Sequence, residues 1–130
     1  MKTIAQLLLW LVVAAHAAFM YIEMFPWERP LVFDKVTLDF KPPSDDVNAS
    51  PIVHNAGLYN GFLMAALIWG IFSARNGFAI QVFCLTCAII AGVFGAWTLK
   101  TANTLLLQTL PGALALAAVM WERHAAGANR

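Results

Sequence analysis

Four long apolar runs dominate the chain, and they leave few folds open. They extend from Ile4 to about Phe25, from about Leu58 to Phe72, from Phe78 to Trp97 and from about Leu105 to Trp121. A helix needs roughly 20 apolar residues to cross a bilayer. Lipid cannot satisfy backbone N–H and C=O groups, so each run must close its own hydrogen bonds as a helix. The second run is short unless it borrows its polar start, "NAGLYNG" (55–61). The expected fold is an all-α polytopic membrane protein, with four transmembrane helices in an up-down bundle. As one domain over 1–130, it has helix 1 at about 3–25, an extramembrane loop at 26–54 and helix 2 at about 55–74. Helix 3 follows at about 78–98, helix 4 at about 102–121 and a short C-terminal tail at 122–130.

Composition agrees. The 130 residues are 61% hydrophobic and only 12% charged, against roughly 25% charged in an ordinary soluble domain. A core this small cannot bury the excess, so lipid is the expected solvent. The net charge of +1 gives no basic field for nucleic acid. "MKTIAQLLLWLVVAAHA" has the shape of a signal peptide. The apolar run continues past the apparent cut to Pro26, so it reads as a retained helix. Cys84 and Cys87 lie inside an apolar run with no second Cys/His pair nearby and read as small apolar fillers. In the long loop, "LVFDKVTLDF" has the partial alternation of a short hairpin.

Lys/Arg bias sets orientation. Lys2, Arg75, Arg123 and Arg130 fall on one side; Arg29, Lys35, Lys41 and Lys100 fall on the other, a tie at four each. We read both termini as cytoplasmic, in a bacterial cytoplasmic (inner) membrane. Trp27 and Trp97 then mark the outer interface, and Trp69 and Trp121 the inner one.

Folding the chain up and down gathers its polar side chains in the outer half. Glu23 ends span one, while His54, Asn55, Tyr59 and Asn60 open span two. Asn103 and Gln108 open span four. His16 lies seven residues before Glu23 on the same face, about 10 Å deeper at 1.5 Å per residue. Asn55 and Tyr59 share one face of span two, and Gly57 and Gly61 form a GxxxG on another. Ala88/Gly92 and Ala91/Gly95 give span three similar faces, and Pro111-Gly112 marks a kink in span four. An ionisable group inside a span points by default at the bundle interior or a wet cavity. The ligand-binding candidates are therefore His16, Glu23, Asn55, Tyr59, Asn60 and Gln108. For a metal, the weak candidates are His16, Met20 and Glu23. His16, Met20 and Met24 fall at spacings of four, and an apolar Met stripe in a greasy helix is the favoured reading of them over a soft-metal site.

Two patches carry a family likeness. "HAAFMYIEMFPW" (16–27) sets a His seven residues before a Glu, and "NAGLYNGFLMAALIWG" (55–70) follows the long loop. With "QVFCLTCAIIAGVFGAWTLK" and "LLLQTLPGALAL", they make nearly the whole chain resemble the domain-of-unknown-function family numbered 1304. That family comprises small predicted bacterial membrane proteins with four helices. Members commonly read Asn-Gln-Gly-x-Tyr-Asn-Gly at the start of span two. Here Ala56 replaces the Gln, while Asn55, Gly57, Tyr59, Asn60 and Gly61 match. The resemblance implies the four-helix fold and supports the choice of His16, Glu23 and the Asn-Tyr-Asn cluster. It implies no activity.

The leading functional expectation is binding or transport of a small polar solute, proton or cation through that outer polar pocket. One alternative is a membrane-embedded enzyme using His/Glu acid–base chemistry on a lipid-soluble substrate. The chain spells no Gly-x-Ser-x-Gly, HExxH, Walker loop or GxGxxG. The other alternative is a structural or assembly subunit of a membrane complex. Expected partners are the lipid bilayer, a small polar ligand or cation, and a second copy joined through the small-residue faces. The sequence names no cofactor.

Overall fold

A computed structural model describes residues 2–25 and 50–128. The described residues are all helix and short turns, with no strands. α1 spans Lys2–Met24, α2 Ser50–Phe72 and α3 Gly77–Leu99. α4 opens with a π turn at Leu105–Thr109 and continues as Leu110–Ala128. All four are long and apolar enough to cross a membrane. A 23-residue helix is about 34 Å long at 1.5 Å per residue, enough for a hydrocarbon core of roughly 30 Å. The expected hairpin at "LVFDKVTLDF" lies outside the described residues.

Two helices run further than the apolar runs that announced them. α2 starts at Ser50, so the whole polar stretch 54–61 is helical. Pro51 suits a first turn, where a missing N–H costs nothing. α4 continues through "WERHAAGA" to Ala128, because Glu, Arg and Ala are good helix formers.

Each helix packs antiparallel to the next, and α4 closes against α1. The start of α2 lies against the end of α1, where a Cβ on Gly57 would be 3.0 Å from the Glu23 Cβ. At the other end, Trp10 meets Phe72 edge-on with ring centroids 6.2 Å apart. α2 and α3 form a tight hairpin: a Cβ on Gly77 would sit 2.6 Å from the Gly70 carbonyl oxygen. That oxygen also accepts a hydrogen bond from the Gln81 side-chain amide at 2.9 Å. We call the end where α1 finishes and α2 begins the upper end, and the opposite one the lower end.

The core is a thin column of fully buried side chains: Leu9, Val12, His16, Leu67 and Leu85. The outside is apolar as well. Leu7, Phe62, Trp69, Phe83, Phe94, Leu106 and Trp121 are all more than half exposed. A soluble monomer rarely carries such a surface; it is compatible with lipid contact. Cys84 is buried and Cys87 half-buried, both as free thiols.

The small-residue faces pack within the chain. Met20 and Met24 of the methionine stripe lie over Gly61 and Gly57. Gly92 and Gly95 of α3 receive Thr109 and Thr104 of α4, and Gly112 receives Ile89. Without a Cβ, these glycines let the helix backbones approach closely.

Pro111 has no N–H to offer the Leu107 carbonyl, and its ring crowds that oxygen. The preceding turn widens instead, with the Leu110 N–H bonded to the Leu105 carbonyl. The expected irregularity at Pro111-Gly112 is thus a π turn on the side nearer the upper end. The short link before it starts at Lys100, whose φ of 56° is left-handed. The ammonium of Lys100 lies 5.8 Å from the Trp97 ring centroid.

Candidate functional site

Two interhelical polar pairs stand at the upper end of the bundle. The first joins α1 to α2: the Asn60 side-chain amide donates to Glu23 Oε2 at 2.8 Å. Gly57 and Gly61 bring α2 against α1, and Asn60, beside Gly61 in sequence, reaches across the contact. The second pair joins α1 to α4 deeper in the bundle. His16 is fully buried, and its Nδ1 donates to the Val12 carbonyl one turn back at 2.9 Å. That bond leaves the Nε2 lone pair of the neutral ring as an acceptor for the Gln108 amide, 3.4 Å away. The Phe19 ring stands edge-on to the imidazole at a centroid distance of 5.9 Å.

Between these pairs lies a cavity of about 290 Å³. Its polar lining comes from Glu23, Asn60, Thr101, Asn103, Thr104 and Gln108. Phe19, Ile22, Leu99 and Leu107 supply the apolar walls. Gln108 has two roles, lining the cavity and contacting His16, so it connects the cavity to the buried imidazole. Thr104 Oγ1 is buried without a hydrogen-bond partner, an arrangement that ordinarily costs free energy unless something fills the need.

The sequence candidates divide. Glu23, Asn60 and Gln108 line the cavity, and His16 stands behind Gln108. Asn55 and Tyr59 share a face as expected, but it is the outward one: both are exposed, and Tyr59 packs edge-on against Phe62. α2 can turn only one face to α1, and the glycine face takes that place. Thr101 and Thr104 were not among the candidates. Their signal was "TANT" (101–104), a polar tetrapeptide that reads as a mere connection.

No group of three or more His, Cys, Asp or Glu side chains gathers among the described residues in a way that could hold a metal ion. Of the metal candidates, His16 has both ring nitrogens engaged, and Met20 packs on Gly61.

Residues 10–120 match the family described as Protein of unknown function (DUF1304). The chain belongs to the DUF1304 family. No curated protein and no solved structure gives a significant match to it. In this DUF1304 protein the matched range contains both polar pairs and the whole cavity lining.

Proposed function

We propose that this DUF1304 protein binds, and moves across the membrane, a small polar solute or cation taken up at the upper end of the bundle. We read that end as the outer one, in a bacterial cytoplasmic membrane. The observation that carries the reading is the Glu23 carboxylate lining a cavity of about 290 Å³ beside Asn60 and Gln108. Small-molecule sites begin at about 300 Å³ and combine apolar walls with a few convergent polar groups. A carboxylate at membrane depth is expensive to keep unless it serves a charge or a proton. Glu23 supplies a carboxyl group that can hold a cation or a proton, and Asn60 fixes one of its oxygens. Gln108 passes the effect of an occupant to His16.

The test is native mass spectrometry of the detergent-purified protein, with elemental analysis of the same sample and flux measured in proteoliposomes. The wild type is compared with Glu23→Gln, which keeps the shape and removes the charge. A bound small molecule or cation is expected in the wild type, with retention and flux lower in the variant by on the order of tenfold or more. Retention and flux that are identical in the two proteins refute the reading.

A further inference from the structure

A second cavity, of about 410 Å³, lies at the lower end, away from the site described above. It is an open hollow bordered by the starts of α1 and α3 and the end of α4, through Ala5, Gln6, Phe78, Gln81, Glu122 and Arg123 among others. On α4, Val119, Glu122, Arg123 and Ala126 also line it. Their spacing of i, i+3, i+4 and i+7 is one helix face, so two adjacent residues of opposite charge both border the same hollow.

Those charges do not satisfy each other. Glu122 Oε1 is buried without a hydrogen-bond partner. The Arg123 guanidinium lies instead over the Phe78 ring, 5.2 Å from its centroid. A buried carboxylate oxygen without a donor is costly, and the missing partner must bring an N–H or O–H. The guanidinium beside it is a fork matched to phosphate or carboxylate oxygens. Trp121, next to Glu122 and 64% exposed, is the kind of residue that marks headgroup level in a membrane.

We propose that the lower cavity binds a zwitterion that links a primary ammonium to a phosphate. The ammonium pairs with the Glu122 carboxylate, and the phosphate oxygens accept from Arg123. This chemistry has two sources, the phosphoethanolamine headgroup of a membrane lipid and free phosphoethanolamine. A choline headgroup carries the same charges but has no N–H, so Glu122 discriminates against it.

The full chain is reconstituted in nanodiscs of equal phosphatidylethanolamine and phosphatidylcholine, and the retained lipid is identified by native mass spectrometry. Free phosphoethanolamine is titrated calorimetrically into the detergent-solubilised protein in parallel. The wild type is expected to retain phosphatidylethanolamine over phosphatidylcholine by on the order of tenfold, a comparison that needs no variant. Glu122→Gln is expected to bring that ratio close to one, and Arg123→Gln to weaken retention of both lipids. Retention without uptake of the free compound assigns the site to lipid. Saturable uptake of the free compound that Glu122→Gln abolishes assigns it to a solute. Equal retention of the two lipids with no uptake of phosphoethanolamine overturns the proposal. A preference or an uptake that survives Glu122→Gln overturns it too.

Discussion

Gly92→Val is expected to destabilise the bundle by about 2–4 kcal/mol, at or above the usual range for overpacking. A Cβ at Gly92 would collide with Thr109 Oγ1. It would also lie 2.9 Å from the Thr109 backbone nitrogen and 3.1 Å from the Thr104 carbonyl oxygen. The hydroxyl can rotate away. The two backbone atoms belong to the π turn of α4 and can yield only if the helix moves. Valine's two γ-methyls enlarge the clash. Its better helix propensity returns only a few tenths of a kcal/mol, so the steric effect wins. Gly127→Ala is the control, because a Cβ there meets nothing within 4 Å. It should be neutral or stabilising by about 0.5–1 kcal/mol. SDS titration of the detergent-solubilised proteins, followed by circular dichroism, measures both. A Gly92→Val protein as resistant as wild type would mean that α3 and α4 do not meet along this face.

The second large effect is expected at His16, where packing and hydrogen bonding can be separated. His16→Ala empties a fully buried site and should cost about 2–4 kcal/mol, as large-to-small core changes do. His16→Leu refills most of the volume but loses the contact with Gln108. Interhelical hydrogen bonds in membranes average about 0.6 kcal/mol and reach about 1.7, so the leucine variant should lose less than about 1.5 kcal/mol. The Val12 carbonyl keeps its place in the α1 backbone ladder in either variant. The same unfolding titration compares them. If leucine is as harmful as alanine, the polar contact outweighs packing, and His16 is chiefly a helix fastener. If leucine folds well and solute retention falls, the imidazole is tied to the cavity.

Much of this was legible in the sequence, for reasons that differ between residues. The four helices follow from apolar length alone, since an unbroken apolar run of roughly 20 residues can satisfy its backbone in lipid only as a helix. Glu23 and His16 stood out as the ionisable groups on one stripe of an otherwise apolar run. The choice between Asn60 and the Asn55/Tyr59 pair was not legible. α2 carries apolar side chains on every side, so its pattern does not say which face turns inward; the glycine contact with α1 decides it. Thr104 was hidden because a connection and a cavity wall are spelled alike. Glu122 and Arg123 were hidden because a charged segment after an apolar run reads as a tail, whereas α4 continues and turns both towards α1 and α3. Pro111 announced an irregularity in α4, but not that the turn before it would widen.

That widened turn gives the chain slack of one residue. Thr104 and Thr109 both face α3, although they are five positions apart. In a regular α-helix such a pair diverges around the axis, while residues four apart do not. Deleting one of Leu105, Leu106 or Leu107, together with Pro111→Leu, should therefore yield an uninterrupted helix that still presents both threonines to Gly95 and Gly92. The same deletion at Ala113 or Leu114 would twist every later α4 contact away from its partner. Folded yield in detergent should separate the two edits, because only one of them spends a residue that the register can spare.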